Sequence, residues 1–487
     1  MTSVRRALAL SLIERYLLIV ISLLSNILLA RLLTPEEIGL YSVSLAVIGI
    51  AQVLRDFGVG NFLIQEKHLS EAHIRTAFGF TLVIGIALFF ITFFVAASVA
   101  QFYNDMRIVQ TMRISSLNFL VMPFCTISLS LLRRDMAFKQ IMVVSLLAAL
   151  VGFCVTVSLA YAGFGANSIA VGAVATNIAT GITAWLVRTK RQLLLPSFSE
   201  WHVILNFGGQ NTLAGIVTTI AMDVNDLALG KILGFAPVAM YSRAQGLMNL
   251  FHRDVMTAVK GVAFPAFAKA HRDGESLEES YIKSVTVVTV IAWPFYGFTA
   301  LYALELLRLL FGPQWDEAVP LVPMFCLAGA SLAASSLVIS AVMAVGRIDL
   351  VTKSELTFQP LRAILIVLFA LTFKSLVACA VAFLAAFLVY TPFVYFIKAQ
   401  CIPNNYKCLL SNLWVSAKVT LFALVLPAML SIYAGVDRVA PASFFVVISA
   451  IILCGLSWVG ALFIFKHPVT IDPLFKRVTH KFNSFIW

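Results

Sequence analysis

Charge is scarce in this chain. Only 12% of its 487 residues are Asp, Glu, Lys or Arg, whereas 61% are hydrophobic and the mean hydropathy is +0.95. A soluble surface needs about twice that charged fraction, so a water-facing globular domain is excluded. Nucleotide and hydrolytic machinery is missing too: there is no GxxxxGK[ST] phosphate loop, no HExxH zinc helix and no GxSxG nucleophile elbow. GVGNF at 58–62 and GFGAN at 163–167 each lack the third glycine and the preceding soluble strand of a dinucleotide fingerprint. Cysteine carries no pattern. Cys125, Cys154, Cys326, Cys379 and Cys454 fall inside apolar runs, and Cys401 and Cys408 share one loop at neither a disulfide nor a zinc spacing. These absences read as a protein that is not an enzyme and holds no cofactor or metal.

What the chain has is long apolar runs. Fourteen segments, each long enough to cross a hydrocarbon core of about 30 Å as a helix, are delimited by polar and basic boundaries. They lie near 9–32, 38–62, 76–100, 110–132, 140–162, 167–187, 205–229, 236–262, 284–308, 318–343, 353–373, 376–397, 412–434 and 442–465. The formal charge of +12 does not imply a nucleic-acid partner, because the basic residues sit in short turns between these runs. With the N-terminus inside, about 22 lysines and arginines fall on the inner side and about 7 on the outer. That bias predicts both termini on the cytoplasmic side. The first run exceeds a signal-peptide core and contains Glu14 and Arg15, so it reads as a span.

One phrase is written twice. ARLLTPEEIGLYS at 30–42 returns as GKILGFAPVAMYS at 230–242, and Arg55-Asp56 late in span 2 answers to Arg253-Asp254 late in span 8. Six spans separate the copies, an even number, which predicts two parallel halves related by an axis along the membrane normal.

Two six-helix lobes plus a final helix pair, together with the phrases LARLLTPEEIGLYS, LRDFGVGNFLIQEKHLSE, LSLLRRDMAFKQ, AYAGFGANSIA and LLFGPQWDEAVPLV in that order, resemble the multidrug/oligosaccharidyl-lipid/polysaccharide exporter superfamily. The match is with its polysaccharide transporter branch, the O-antigen and exopolysaccharide flippases, over residues 8–430. The resemblance implies an all-α protein of the bacterial cytoplasmic (inner) membrane with an N-lobe at 1–195, a C-lobe at 196–400, and helices 13 and 14 plus a cytoplasmic tail at 401–487. It implies translocation of a polyprenyl-pyrophosphate-linked oligosaccharide for surface polysaccharide biosynthesis, by alternating access around a central cleft. Membrane lipids, a polysaccharide polymerase and a chain-length regulator are the partners it suggests. Lipid II flippases and multidrug antiporters of the same superfamily are the alternatives.

Charges inside the spans carry the site. Glu14, Arg15, Arg55, Asp56, Asp223, Asp226, Arg243, Arg253, Asp254 and Arg362, if all faced lipid, would cost roughly 25 to 35 kcal/mol, so most must face protein or a wet cleft. In span 7, Asn211, Gly215, Thr219, Asp223 and Asp226 share one helical face; in span 8, Gln245, Asn249 and His252 do, and Arg15, Ser22 and Asn26 mark span 1. Guanidinium forks bind phosphate bidentately and stay charged at cellular pH. Arg15, Arg55, Arg243 and Arg253, with Asn26 and Asn249, are therefore the expected substrate ligands, and Arg362 a weaker candidate. Glu14, Asp56, Asp223, Asp226 and Asp254 either pair with those arginines or bind a coupling cation, H+ or Na+. The rival reading has Arg55, Arg243 and Arg253 snorkelling to headgroups, with Trp201, Trp315 and Trp414 as interfacial anchors. With no ATP site, drive must come from ion gradients or the potential, and about two negative charges moving outward gain roughly 4 to 5 kcal/mol at 100 mV.

Overall fold

Apolar sequence with few strand-favouring turns leaves the backbone one way to satisfy its own hydrogen bonds in lipid, the helix. The computed structural model describes residues 2–56, 58–188, 195–199, 201–202, 219, 223–433 and 444–471, and among these every regular element is helical. Among the described residues eleven helices are long and apolar enough to cross a membrane, or twelve if one bent pair counts as a span. This is a multi-pass membrane protein.

The chain divides into two compact units, Met1–Ala239 and Met240–Trp487. The first contains α1 (Thr2–Leu32), α2 (Pro35–Asp56), α3 (Val59–Gln65), α4 (Glu71–Tyr103), α5 (Arg107–Arg134), α6 (Phe138–Tyr161), α7 (Ala166–Val187) and α8 (223–232). Helix α5 is its hub and packs on α2, α3, α4 and α7. Small residues bring α6 and α7 together: a Cβ added to Gly152 would strike the Thr176 hydroxyl, and one on Gly172 the Thr156 hydroxyl. Close approach through glycine and threonine is how helices associate where lipid is as apolar as leucine. Helix α4 shows the same logic, burying Gly85, Ala96 and Ala100 while Phe90, Ile91 and Phe94 face outward.

The second unit follows α9 (Phe235–Asn249), which straddles the boundary, and a π-helical turn (Leu250–Val255). It comprises α10 (Met256–Arg272), α11 (Leu277–Leu301), α12 (Ala303–Leu310), a 3-10 turn (Pro313–Leu321), α13 (Val322–Ser335), α14 (Val338–Ala344), α15 (Ile348–Phe373), α16 (Leu376–Ala399), α17 (Tyr406–Tyr433) and α18 (Phe444–Ile464). Here α11 packs on α13 and α17, and α16 on α13 and α15.

Helices stand at most of the expected runs. Span 7 falls largely outside the described residues, Asn211 and Gly215 among them, and span 8 is interrupted by the π turn. The anchor reading of Trp315 is corrected: its ring is wholly buried near the start of the 3-10 turn, whereas Trp201 and Trp414 are exposed. The expected ninth span also begins earlier and stops short, since the helix runs Leu277–Leu301 and α12 follows a break at Tyr302.

Candidate functional site

Two neighbouring cavities in the first unit collect most of its functional polar groups. The larger, about 740 Å3, lies among α1, α2, α3, α5, α6 and α7. Arg55 from the end of α2 and Arg133 from the end of α5 supply its charge, and Asn61, Thr126, Ser130, Ser145, Asn177 and Thr180 its amides and hydroxyls. No carboxylate is among its lining residues within the described part of the chain. The local fold explains the placement. Gly58 adopts a left-handed conformation (φ 65°) immediately before α3, whose Gly60 and Asn61 line the same cavity as Arg55. Gly60 makes room: a Cβ there would lie 3.1 Å from the Ser130 hydroxyl. Asn177 is fixed by donating to Asn118 Oδ1 at 2.7 Å.

The smaller cavity, about 360 Å3, is acidic. Asp223 and Asp226 of α8 face Ser42, Gly49 and Gln52 of α2, with Thr219 beside them. A Cβ on Gly49 would come within 2.5 Å of Asp223 Oδ2, so glycine is needed there. Val53 lines both cavities, placing the acidic one next to the basic one. Neither aspartate has an ion-pair partner among the described residues.

The turn between α1 and α2 is closed by backbone as well as side chains. Thr34 and Glu37 form a reciprocal cap, Thr34 N donating to Glu37 Oε2 at 2.8 Å and Glu37 N to Thr34 Oγ1 at 3.3 Å. Glu36 Oε2 accepts the Ala236 amide at the start of α9 at 3.0 Å, and its Oε1 lies 3.2 Å from Arg107. Gly39 abuts the Phe235 carbonyl with no space for a Cβ. Tyr103 donates to the Leu227 carbonyl at 3.0 Å. Arg107 Nε, 3.0 Å from both oxygens of Asp105, holds that carboxyl below the usual carboxylate range. The two copies of the repeated phrase thus meet each other here.

Of the residues singled out in the sequence, Arg55 lines the basic cavity and Asp223 and Asp226 the acidic one. Arg15 is exposed and Glu14 half-buried, and Leu18, one turn further along α1, lines the basic cavity. Asn26 is exposed and donates to Ser22 O at 3.0 Å. The Asp56 side chain lies outside the described residues. In the second unit Arg243 lies over Phe311 and Trp315, 4.9 and 5.0 Å from the ring centres. Arg253 is exposed and pairs with Asp254 at 3.1 Å, and Asn249 is the half-buried last residue of α9. Arg133 is the ligand candidate that the sequence reading missed. It counts there only as an inner-side topology charge, although its polar neighbours three and seven positions back, Ser130 and Thr126, mark a common helical face.

Helices able to span a membrane, with a polar and basic cavity among them, define a membrane transporter. The chain matches the polysaccharide biosynthesis protein family over residues 28–320 and belongs to it. It is 25% identical over 429 residues to the lipopolysaccharide biosynthesis protein WzxC of Escherichia coli, covering 87% of this chain and 86% of that one. It is 26% identical to the succinoglycan biosynthesis transport protein ExoT of Rhizobium meliloti, with 66% and 65% covered. Among solved structures the inward closed conformation of the lipid II flippase MurJ has a TM-score of 0.73 at 13% identity, covering 96% of this chain and 100% of that one. An inward-facing MATE-family multidrug resistance transporter of the MOP superfamily reaches 0.58 at 16% identity, with 78% and 94% covered. These two likenesses concern the fold alone.

Proposed function

We propose that this chain is a flippase that moves polyprenyl-pyrophosphate-linked oligosaccharides across the bacterial cytoplasmic membrane during surface polysaccharide synthesis. The observation that carries the reading is the basic cavity. Two guanidinium groups, no lining carboxylate among the described residues and a wall of hydroxyls and amides suit a phosphate joined to a sugar. Its volume of about 740 Å3 lies in the usual range for ligand sites. The names of the WzxC and ExoT relatives, both of polysaccharide biosynthesis, support the same cargo class.

The finer architecture belongs to this proposal. Fourteen spans, both termini in the cytoplasm, and lobes at 1–195 and 196–400 with a helix pair beyond them are supported by the repeated phrase and the inner-side excess of basic residues. On that division the Glu36–Ala236 and Gly39–Phe235 contacts join the lobes at their outer ends. Cargo then enters from the cytoplasm, with alternating access by rocking of the lobes. The acidic cavity beside Val53 is the place for a coupling H+ or Na+. Docking of the polymerase and chain-length regulator follows from the same reading.

The test is a deletion strain complemented with Arg55→Ala and Arg133→Ala at normal protein level. Each substitution removes a charge-assisted contact worth about 1.5 to 3 kcal/mol, so cargo binding should weaken roughly 10- to 150-fold. Mass spectrometry should find a completed repeat unit accumulating on its polyprenyl carrier while surface polymer falls. Unchanged polymer, with raised sensitivity to cationic drugs in the deletion strain, would reassign the cavity to small-molecule export.

A further inference from the structure

The α7 side of the basic cavity has a fixed hydrogen-bond polarity. Thr176, Asn177 and Thr180 of that helix all line it. A threonine hydroxyl carries one proton, and here both are already engaged: Thr176 Oγ1 donates to Gly172 O and Thr180 Oγ1 to Thr176 O, each at 2.8 Å. Lone pairs alone are left for a visitor.

Asn177 is turned the same way by a relay from α5. Asn118 Nδ2 donates to Ser115 O at 3.0 Å. A backbone carbonyl only accepts, so this contact fixes which end of the Asn118 amide is nitrogen and directs its Oδ1 at Asn177. Asn177 Nδ2 donates to that oxygen at 2.7 Å, and the Cys125 thiol, 3.1 Å from Asn177 O, ties the backbone of the same residue to α5. Asn118 itself lies outside the described lining. Asn177 Oδ1 is left with no donor among the described residues. On this wall three oxygens accept, and one N–H of Asn177 remains to donate. Arg55 and Arg133 have the opposite character, since a guanidinium only donates.

We propose that Asn118 is a positioning residue for sugar recognition: through Asn177 it makes the α7 wall an acceptor surface that takes hydroxyl protons from a neutral hexose, while Arg55 and Arg133 hold the phosphate. The cargo is thereby oriented, because a phosphate or carboxylate against α7 would set oxygen against oxygen. A hexose whose wall-facing hydroxyl is acylated or replaced by a carboxylate loses the same contact.

This inference rests on the glycolipid reading above, and the experiment separates the two. The full-length chain in lipid nanodiscs is titrated with polyprenyl pyrophosphate, with its glucose conjugate, and with conjugates in which fluorine replaces one glucose hydroxyl at a time. Fluorine is close to hydroxyl in size and cannot donate. In wild type, glucose should tighten binding over the bare carrier, and fluorine at one position or more should weaken it about 2- to 12-fold, the worth of a neutral hydrogen bond. In Asn118→Ala the Asn177 amide is free to turn its nitrogen to the sugar, so that penalty should shrink. Binding of bare polyprenyl pyrophosphate, which a general structural defect would weaken, should stay at the wild-type value. Asn118→Asp keeps an acceptor toward Asn177 and should restore the penalty. Thr180→Val removes the neighbouring acceptor at nearly the same size and should erase the penalty at one position, which serves if Asn118→Ala fails to fold. Wild type that binds neither the bare carrier nor any conjugate sinks the glycolipid reading and this one with it. Wild type that binds the carrier but gains nothing from glucose, or a fluorine penalty unchanged in Asn118→Ala and Thr180→Val, overturns the acceptor wall alone.

Discussion

Lys398 shows how a charge becomes structural. Its side chain is completely buried, yet its ammonium donates to Glu278 and to Asn404 Oδ1 at 2.7 Å and lies 4.5 Å from the centre of the Tyr281 ring. The other Glu278 oxygen accepts the Asn405 amide at 2.9 Å, and Tyr281 donates to the Tyr395 hydroxyl at 2.8 Å. Breaking such a pair strands a buried charge at a cost of about 3 to 5 kcal/mol. Lys398→Met should therefore lower the melting temperature markedly in detergent, and Lys398→Met with Glu278→Leu should recover most of the loss. Sequence alone ranks Lys398 with the inner-side topology charges, because its partner Glu278 lies 120 positions away. Trp315 is misread for the same reason, since the Arg243 guanidinium that covers its ring comes from a distant helix. Arg55 was legible because its helix forces it inside the span, where a charge needs a reason.

Helix register decides what the repeat can predict. Tyr41 to Arg55 spans about 14 residues, but the matching Tyr241 to Arg253 only about 12, and the second copy adds the under-wound turn Leu250–Val255. At about 100° per residue, two residues turn a side chain by some 200°. The aligned arginines therefore do not occupy equivalent faces: Arg55 reaches a cavity, and Arg253 is exposed and paired along the chain. The turns themselves align without a gap, and there the sequence pattern and the contact agree. Glu36→Ala removes the acceptor of the Ala236 amide, and Gly39→Ala drives a methyl into the Phe235 carbonyl. On the proposed alternating access, both should shift the population toward an outward-open form. Cysteines placed at the Pro35 end of α2 and the Phe235 end of α9 should gain reactivity to a membrane-impermeant maleimide in these variants; unchanged labelling would mean that these contacts do not control access there.

At the scale of the molecule, composition alone announced a helical membrane protein, and the apolar runs placed its helices to within a few residues over most of the described chain. What runs and charges could not show is how helix ends are tied. His467, beyond α18, is fully buried: its Nδ1 accepts the Val469 amide at 3.2 Å, leaving Nε2 to donate to Ser416 Oγ of α17 at 3.2 Å. Ser416 in turn lies 3.2 Å from Thr289 Oγ1 of α11. Burial lowers the His467 pKa from 6.5 to about 4. The neutral ring is thus the folded form, so stability is complete above pH 6.5 and declines as pH falls toward 4, where only the unfolded chain takes up the proton. The melting temperature should fall between about pH 7 and pH 5, and His467→Asn should flatten that slope.

The meeting of Gly39 with the Phe235 carbonyl has a consequence for how such carriers diversify. A contact made by backbone against backbone asks only for the absence of a side chain, whatever the rest of the molecule binds. The wall of the basic cavity, by contrast, is built of exchangeable hydroxyls and amides such as Ser130, Asn177 and Thr180. That wall can be rewritten residue by residue while the glycine contact stays as it is, so the cavity and the turn are free to change independently.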